Sequence, residues 1–488
     1  MNISKSLYIR GLQCHKSLWL KKYNSDVLEA SNEGVLENGN NVGALACELY
    51  PGGVEIPYDG TSFEDKIIMT QDLINEGVKN IYEATFQYNG ILVMVDILNV
   101  EDNTVVINEV KSSTDVKDVY LHDLSIQYYV LNGLGYDVQE ANVIHINNEY
   151  IRGDELEINK LFTTVEVTDI VKNFQEDIEE NLEIFRGVLS DKAKEPNIDI
   201  GPHCSSPYAC DATNYCWSNI PQYSVFNISR LKTDKKFELY KRGILNFTDI
   251  PNINQFSHSQ QLQIKAELEQ TEIINKTSIK GFLDSLTYPI YHLDFETFQQ
   301  AIPQWKGVIP YMQIPFQYSL HIEHENSTLE HKEFLAEDGI DPRYELAKRL
   351  VEDIPCDATV LAYNMGFEKG VIRKLANQFS DFTYDLMCIH DNIKDLMTPF
   401  QSKDYYVPKM RGSYSIKNVL PALVPEMEKA YKALDLVHNG GEAMNAFASL
   451  GTLSDEEKIA YRNALLEYCK LDTLAMVKIL QKLRELLS

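Results

Sequence analysis

Asp96, Glu109 and Lys111 have the types and spacing that most directly invite chemistry. They lie in residues 91–111, ILVMVDILNVEDNTVVINEVK, where two apolar runs flank a turn-like Glu101-Asp102-Asn103. That pattern predicts a β-hairpin, and a turn centred near residue 102 sets Asp96 opposite the level of Asn108 and Glu109. Strand side chains alternate, so Glu109 and Lys111 share a face while Val110 turns to the core. Two carboxylates and one ammonium therefore converge. Oxygen-only ligands suit Mg2+ or Mn2+, which keep positions open for water and a phosphate oxygen, and Lys111 can orient the attacking hydroxide or stabilise a pentavalent phosphate. A surface hairpin with an ordinary ion pair accounts for the same three residues, because such spacings are common in charged proteins.

A second constellation is GPHCSSPYACDATNYCW, in which Cys204, Cys210 and Cys216 are each separated by five residues. Zinc favours a C-x2-C knuckle, whereas an iron-sulfur cluster accepts wider spacing and a distant fourth cysteine, for which Cys14 is the natural candidate. Closing so long a loop costs entropy that grows only logarithmically with length. A zinc site and three unrelated buried cysteines are the alternatives.

The third constellation is in the second half. The apolar run YPIYHLDFETF places Asp294 and Glu296 on one strand face. Further on, VLAYNMGFEKGVIRKLA predicts a strand and a helix presenting Asn364 and Glu368, and LLEYCKLDTLAMVKIL predicts a helix presenting Tyr468 and Asp472 four apart.

These residues need elements to hold them. Residues 1–24 predict an amphipathic helix, 42–50 a short helix and 61–76 another, and a strand with Glu83 turns at Asn89-Gly90 into the hairpin. After Lys111 the apolar residues of VYLHDLSIQYYVLNGLGY fall at helical spacing, with a strand at VQEANVIHIN and a long helix at TDIVKNFQEDIEENLEIFRGVLS beyond. This is an α/β core. At 488 residues, the chain exceeds the usual single domain. The expected division is 1–220, a helical linker 221–288 and 289–488. The linker holds the densest basic patch, Lys232, Lys235, Lys236, Lys241 and Arg242. Its LYKRGILNFTDIP portion reads as a helical spacer or a helix-hairpin-helix-like backbone contact. Lys369, Arg373 and Lys374, like Lys409, Arg411 and Lys417, could meet phosphates or simply face solvent.

Hydrophobic content of 44% is ordinary for a globular protein. No apolar run reaches a membrane-spanning length and the N-terminus lacks a signal-peptide core, so a cytoplasmic protein that does not engage a membrane is expected. In that reducing setting, clustered cysteines hold metal more often than they form disulfides. The net charge of −27 argues against a generally nucleic-acid-attracting surface, so a nuclease of this composition must rely on metal ions and local basic patches.

Together, Cys14, Asp96, Glu109-Val110-Lys111, Gln127-Tyr128, Cys204, Cys210 and Cys216 resemble the RecB-like PD-(D/E)XK nucleases with a four-cysteine iron-sulfur cluster, the group that includes CRISPR-associated RecB-family exonucleases. The resemblance implies that Asp96 and Glu109 are metal ligands, Lys111 is catalytic, Gln127 helps place the substrate and the four cysteines hold a 4Fe-4S cluster. The upstream His common in that family has no clear equivalent here; Glu83 stands as its substitute, or the slot is empty. Residues 289–488 resemble the DnaQ-like, RNase H-fold DEDD exonucleases in the version with Tyr before the last Asp. That implies Asp294, Glu296, Glu368 and Asp472 as ligands of two metal ions and Tyr468 as the residue orienting water. Glu368 departs from the family's Asp. The expected fold class is thus α/β, a restriction-endonuclease-like domain plus an RNase H-like domain joined by a helical linker. The expected activity is hydrolysis of DNA at ends or single strands. An RNA exonuclease and a non-hydrolytic nucleic-acid scaffold are the rivals, and protein partners are not indicated.

Overall fold

In a computed structural model, residues 3–30, 33–57 and 59–488 are described. The architecture is mixed α/β, and the chain divides into a unit of residues 1–219 with 300–312 and a unit of 220–299 with 313–488.

The first unit is built on a seven-stranded mixed sheet of β1 (Ile3–Ser4), β2 (Val54–Glu55), β3 (Asn80–Tyr88), β4 (Ile91–Glu101), β5 (Thr104–Lys111), β6 (Asp137–Ile146) and β7 (Phe162–Glu166). Strands β2 to β7 lie in sequence order, and β1 pairs in parallel with β4. Two-residue turns at Asn89-Gly90 and Asp102-Asn103 join β3 to β4 and β4 to β5. Positive φ at Asn89 (48°), Gly90 (70°) and Asp102 (54°) gives these turns the twist that such hairpins need. The β4–β5 register pairs Ile97 with Asn108, which sets Asp96 beside Glu109 as the hairpin reading requires. Strand β6 runs parallel to β5, so the chain must cross over, and it does so through a helix.

Four helices of this unit bear on its sites: α1 (Lys5–Gln13), α2 (His15–Tyr23), α3 (Asp118–Gly133), which is the β5–β6 crossover, and α4 (Gln175–Ser190). Valines and isoleucines of β4 and β5 meet Leu124 and Val130 of α3 and Phe185 of α4 in one core. The N-terminal helix expected over 1–24 is broken, because Cys14 adopts an extended φ of −163° between α1 and α2. The long helix expected near 168–190 likewise divides at Phe174, into Thr168–Asn173 and α4.

The second unit contains β8 (Ile273–Ile274), β9 (Ile290–Phe298), β10 (Ile314–Glu323) and β11 (Leu329–Leu335), then β12 (Thr359–Ala362), β13 (Ile393–Asp395) and β14 (Tyr405–Tyr406). Five of these form a sheet in the order β11-β10-β9-β12-β13, antiparallel from β9 to β11 and parallel from β9 to β13. Its helices include α5 (Gly366–Gln378), α6 (Ile416–Leu423), α7 (Pro425–Lys432), α8 (Gly440–Ser449) and α9 (Asp455–Glu485). Helix α9 packs on β9 and β10. The Thr473 hydroxyl fastens it there, lying 2.7 Å from Ser319 Oγ and 2.8 Å from His321 Nδ1.

Residues 221–288 do not form a separate linker. They build a small core around Ile228, Leu239 and Ile264, and β8 pairs with β14, which makes them part of the second unit. Cys356 and Cys388 form a disulfide, which the expectation of a reducing compartment offers no reason to foresee. Among the described residues, no helix is long and apolar enough to cross a membrane.

Candidate active sites

In the first unit, β5 carries Glu109 and Lys111 on one face and β4 brings Asp96 beside them. Asp96 Oδ2 accepts the Val110 N–H at 2.7 Å, which fixes that carboxylate at the strand edge. The Lys111 ammonium donates to Glu109 Oε1 and to Asp123 Oδ2, both at 2.7 Å. From α3, the Gln127 amide donates to Glu109 Oε2 at 2.6 Å, while Gln127 Oε1 is buried without a partner. A second ammonium completes the group, for Lys5 at the start of α1 donates to both oxygens of Glu109 at 2.8 and 2.9 Å.

These contacts set the charges. Burial pushes Glu109 up, but Lys111 and Lys5 outweigh it and hold this carboxyl at about 2. Burial and the Glu109 charge push Asp96 the other way, to about 7. Burial disfavours the Lys111 ammonium, yet Glu109, Asp123 and Asp96 prevail and keep it well above its ordinary value. One carboxylate is thus firmly ionised while its neighbour holds its proton more tightly than a free carboxyl does. Glu83 stands opposite Asp96 in left-handed backbone, φ 56°, and its carboxyl is raised by burial and by the Glu109 charge, so it faces the same site. A non-glycine residue held at positive φ in a strand is backbone strain of the kind that gathers at functional sites.

The four cysteines expected to act together line one cavity of the first unit, with Ile198 and Ile200 beside them. None of the four is in a disulfide. Cys14 caps α2, and burial raises its thiol, as do the nearby Cys210 and Cys204. Gln13 ties the loop down by donating to the carbonyls of His203 (2.8 Å) and Tyr208 (2.7 Å), and Arg10 pairs with Asp211 at 2.7 Å. Among the described residues, only Asp294, Glu296 and Asp472 bring three ligand atoms of this kind within 4.8 Å of one another. Four free thiols around one cavity form a donor set of the all-sulfur kind that either an iron-sulfur cluster or a zinc ion takes.

That carboxylate trio is the second candidate site. Asp294 and Glu296 alternate along β9 onto the face covered by α9, which supplies Asp472. The Tyr431 hydroxyl of α7 donates to Asp472 Oδ1 at 2.5 Å, and Tyr468 also favours the ionised form of this carboxylate. The Cys469 thiol points at Asp294 Oδ2 from 4.0 Å. A Cβ on Gly440, the first residue of α8, would stand in ordinary van der Waals contact with Glu296 Oε2 at 3.4 Å, so α8 starts directly against that carboxylate.

Burial first, then the Asp472 charge, raises Glu296 to about 8, and burial with Asp472 and Glu296 holds Asp294 well above the carboxylate range. Burial also lifts Asp472, to about 6, although both phenols work against it. Lys417, exposed at the start of α6, lowers Glu296 and Asp472 from a distance. Three carboxyls so close cannot all ionise without a cation among them.

Glu368 lies in the first turn of α5, outside the 4.8 Å trio, though its charge acts on Asp294. It is buried with Oε2 unpartnered and is raised by burial to about 8. Asn364 is not on that helix. It sits before α5 in left-handed backbone, φ 73°, with its N–H on Asp395 Oδ1 at 2.9 Å.

Residues 291–415 match a family described as a domain of unknown function (DUF2779). No curated protein matches the chain. The matched span contains Asp294, Glu296 and Glu368 and ends before Tyr431, Tyr468 and Asp472.

Lys5, Asp123 and Tyr431 escaped the sequence reading. Asp123 was within reach of it, because it lies one helical turn before Gln127 on the same face of α3. Lys5 is 104 residues from Glu109 and Tyr431 is 41 from Asp472, and no local pattern marks either.

Proposed function

We propose that the chain is a metal-dependent nuclease with two active sites, the first of RecB-like PD-(D/E)XK type and the second of DnaQ-like RNase H type, acting on DNA ends or single strands. The observation that carries this reading is the trio Asp294, Glu296 and Asp472, whose ligand atoms lie within 4.8 Å of one another. A cation among them would let all three carboxyls ionise together. Bound Mg2+ or Mn2+ would supply Lewis acidity and an activated water at this trio and at Asp96 and Glu109.

The chain's own residues do the rest. Tyr431 holds the orientation of Asp472, and Tyr431 and Tyr468 both favour its ionised state. Lys111, anchored by Glu109 and Asp123, is ready to meet charge that develops on a phosphate. Gln127 fixes Glu109 and keeps a free carbonyl for a water or a further donor. The four cysteines would hold a 4Fe-4S cluster that ties the start of the chain, through Cys14, to residues 204–216.

A strand-binding second unit without hydrolysis is the other reading, and one observation favours it: Glu368 stands apart from the trio. Anaerobically purified parent and Asp96→Ala protein, assayed with end-labelled DNA and RNA with and without Mn2+, separate the two, because cutting that survives in Asp96→Ala belongs to the second unit. Metal-dependent shortening of either polymer supports the nuclease, and intact substrates under every condition refute it.

A further inference from the structure

Directly after Lys111 the chain turns through residues 112–115 to Lys117, and these residues line one side of a cleft of about 480 Å³. Asn148 and Ile309-Pro310-Tyr311 line the remainder. The latter three belong to the 300–312 segment, which lies between β9 and β10 in sequence but is part of the first unit. That segment is firmly fastened. Arg152 donates from its side chain to the Pro303 carbonyl at 2.7 Å and pairs by backbone with Gly307 and Val308 at 2.8 and 3.0 Å. Tyr311 takes left-handed backbone, φ 58°, and its hydroxyl donates to the Ser112 carbonyl, closing one wall of the cleft onto the other.

The walls differ in chemistry. One offers the hydroxyls of Ser112 and Thr114 together with the Lys117 ammonium, which lies 5.9 Å from the centre of the Tyr120 ring, while the Ser113 hydroxyl donates to the Asp115 carbonyl at 2.8 Å. The Lys111 ammonium faces the same ring at 5.1 Å, so Tyr120 links Lys117 of the cleft to Lys111 of the candidate cutting site. Asp115, the one acid of the lining, accepts the Val116 N–H at 2.8 Å with one of its carboxylate oxygens. The opposite wall is aliphatic, from Ile309 and Pro310. The volume is within the ~300–1,000 Å³ usual for small-ligand sites, and a cation with hydroxyls facing a flat apolar surface is what a phosphate joined to a base requires.

We propose that this cleft seats the nucleotide next to the scissile phosphate, one nucleoside monophosphate unit of a single strand. Its phosphate lies on Lys117 and the hydroxyls, its base against Ile309 and Pro310, and Asn148 is available to the base edge. The assignment rests on Asp96, Glu109 and Lys111 being the cutting site. It also means that residues from the second half of the sequence complete substrate binding in the first unit.

The test uses the full chain in EDTA, where no metal-dependent cleavage runs, and fluorescein-labelled ten-residue oligo-dT and oligo-U followed by anisotropy. Lys117→Ala removes the cation and Ile309→Trp fills the cleft; neither residue belongs to the metal site. Each variant should bind the oligonucleotide ~5–10-fold more weakly, and Lys117→Ala should also flatten the salt dependence by ~0.7 in log–log slope, as loss of one phosphate contact on a single strand requires. Thymidine 5′-monophosphate should compete with the labelled strand on the parent but not on Ile309→Trp. Tighter binding of oligo-dT or of oligo-U, with the same dependence on Lys117, names the polymer. Parent-like binding and salt slope in both variants would overturn the proposal. The two ideas fail separately: a protein that cuts but shows that parent-like binding keeps its nuclease activity and loses the cleft, whereas one that binds through Lys117 without ever cutting keeps the cleft alone.

Discussion

The Lys5 ammonium sits on both oxygens of Glu109, at 2.8 and 2.9 Å, the carboxylate that together with Asp96 would hold a divalent ion. Lys5 therefore competes with metal for Glu109 and positions that carboxylate until metal arrives. Replacing it with a neutral residue of similar length removes the competitor. In a background with Asp294→Ala, Lys5→Met should bind Mn2+ ~10-fold more tightly by calorimetry, about 1.4 kcal/mol, and Lys5→Arg should restore parental affinity. Unchanged or weaker Mn2+ binding by Lys5→Met contradicts the competition.

Lys111 is expected to act on the phosphate rather than on the metal. Lys111→Ala should slow cleavage by the first site ~100- to 1,000-fold, the ~3–4 kcal/mol usual for one preorganised electrostatic group, with Mn2+ binding retained. Glu109→Ala should lose the metal instead. Calorimetry and single-turnover rates on both variants check the split.

The pH dependence of stability has a definite sign. Glu296 and Glu368 are raised to about 8, so the folded state binds more protons than the unfolded chain, and their ionisation makes the metal-free protein less stable as pH rises from about 4.5 through 8. Glu109 runs oppositely: held at about 2, its contribution is complete above about 4.5 and is lost as pH falls toward 2. A cation replaces protons on the raised carboxyls. Mn2+ should accordingly raise the melting temperature more at about pH 8 than at about pH 5.5, because ligands must be deprotonated to bind it. Equal Mn2+ shifts at both pH values in scanning calorimetry would speak against a carboxylate-bound ion.

Much of this was legible in the sequence, and the division has a physical cause. The Asp96–Glu109 pairing follows from a two-residue turn and strand alternation, and Asp294 with Glu296 follows from alternation alone. Both are local rules. The Lys5 contact, the Tyr431 bond to Asp472 and the docking of residues 300–312 depend on tertiary packing between distant segments, which no local period encodes. Asn364 was misjudged for a related reason. Spacing four before Glu368 suggested a shared helix face, but its left-handed backbone makes it the turn into α5.

Tyr431 is the most informative of the missed residues. Its hydroxyl stabilises the ionised form of Asp472, so Tyr431→Phe should raise that pKa and move the rising limb of the second site's pH–rate profile upward by ~0.5–1 unit. Tyr468→Phe should shift the same limb, and the double variant should fall short of or exceed the sum of the single shifts, since both phenols serve one carboxylate. A profile that does not move in either single variant removes both phenols from the account.

The most direct measurement is metal-dependent degradation of a 3′- or 5′-labelled single strand by the full chain carrying Asp96→Ala, Asp294→Ala or both. Each single variant should keep a Mn2+-dependent activity with its own product ladder, and the double variant should be inert. A double variant as active as the parent would contradict both sites.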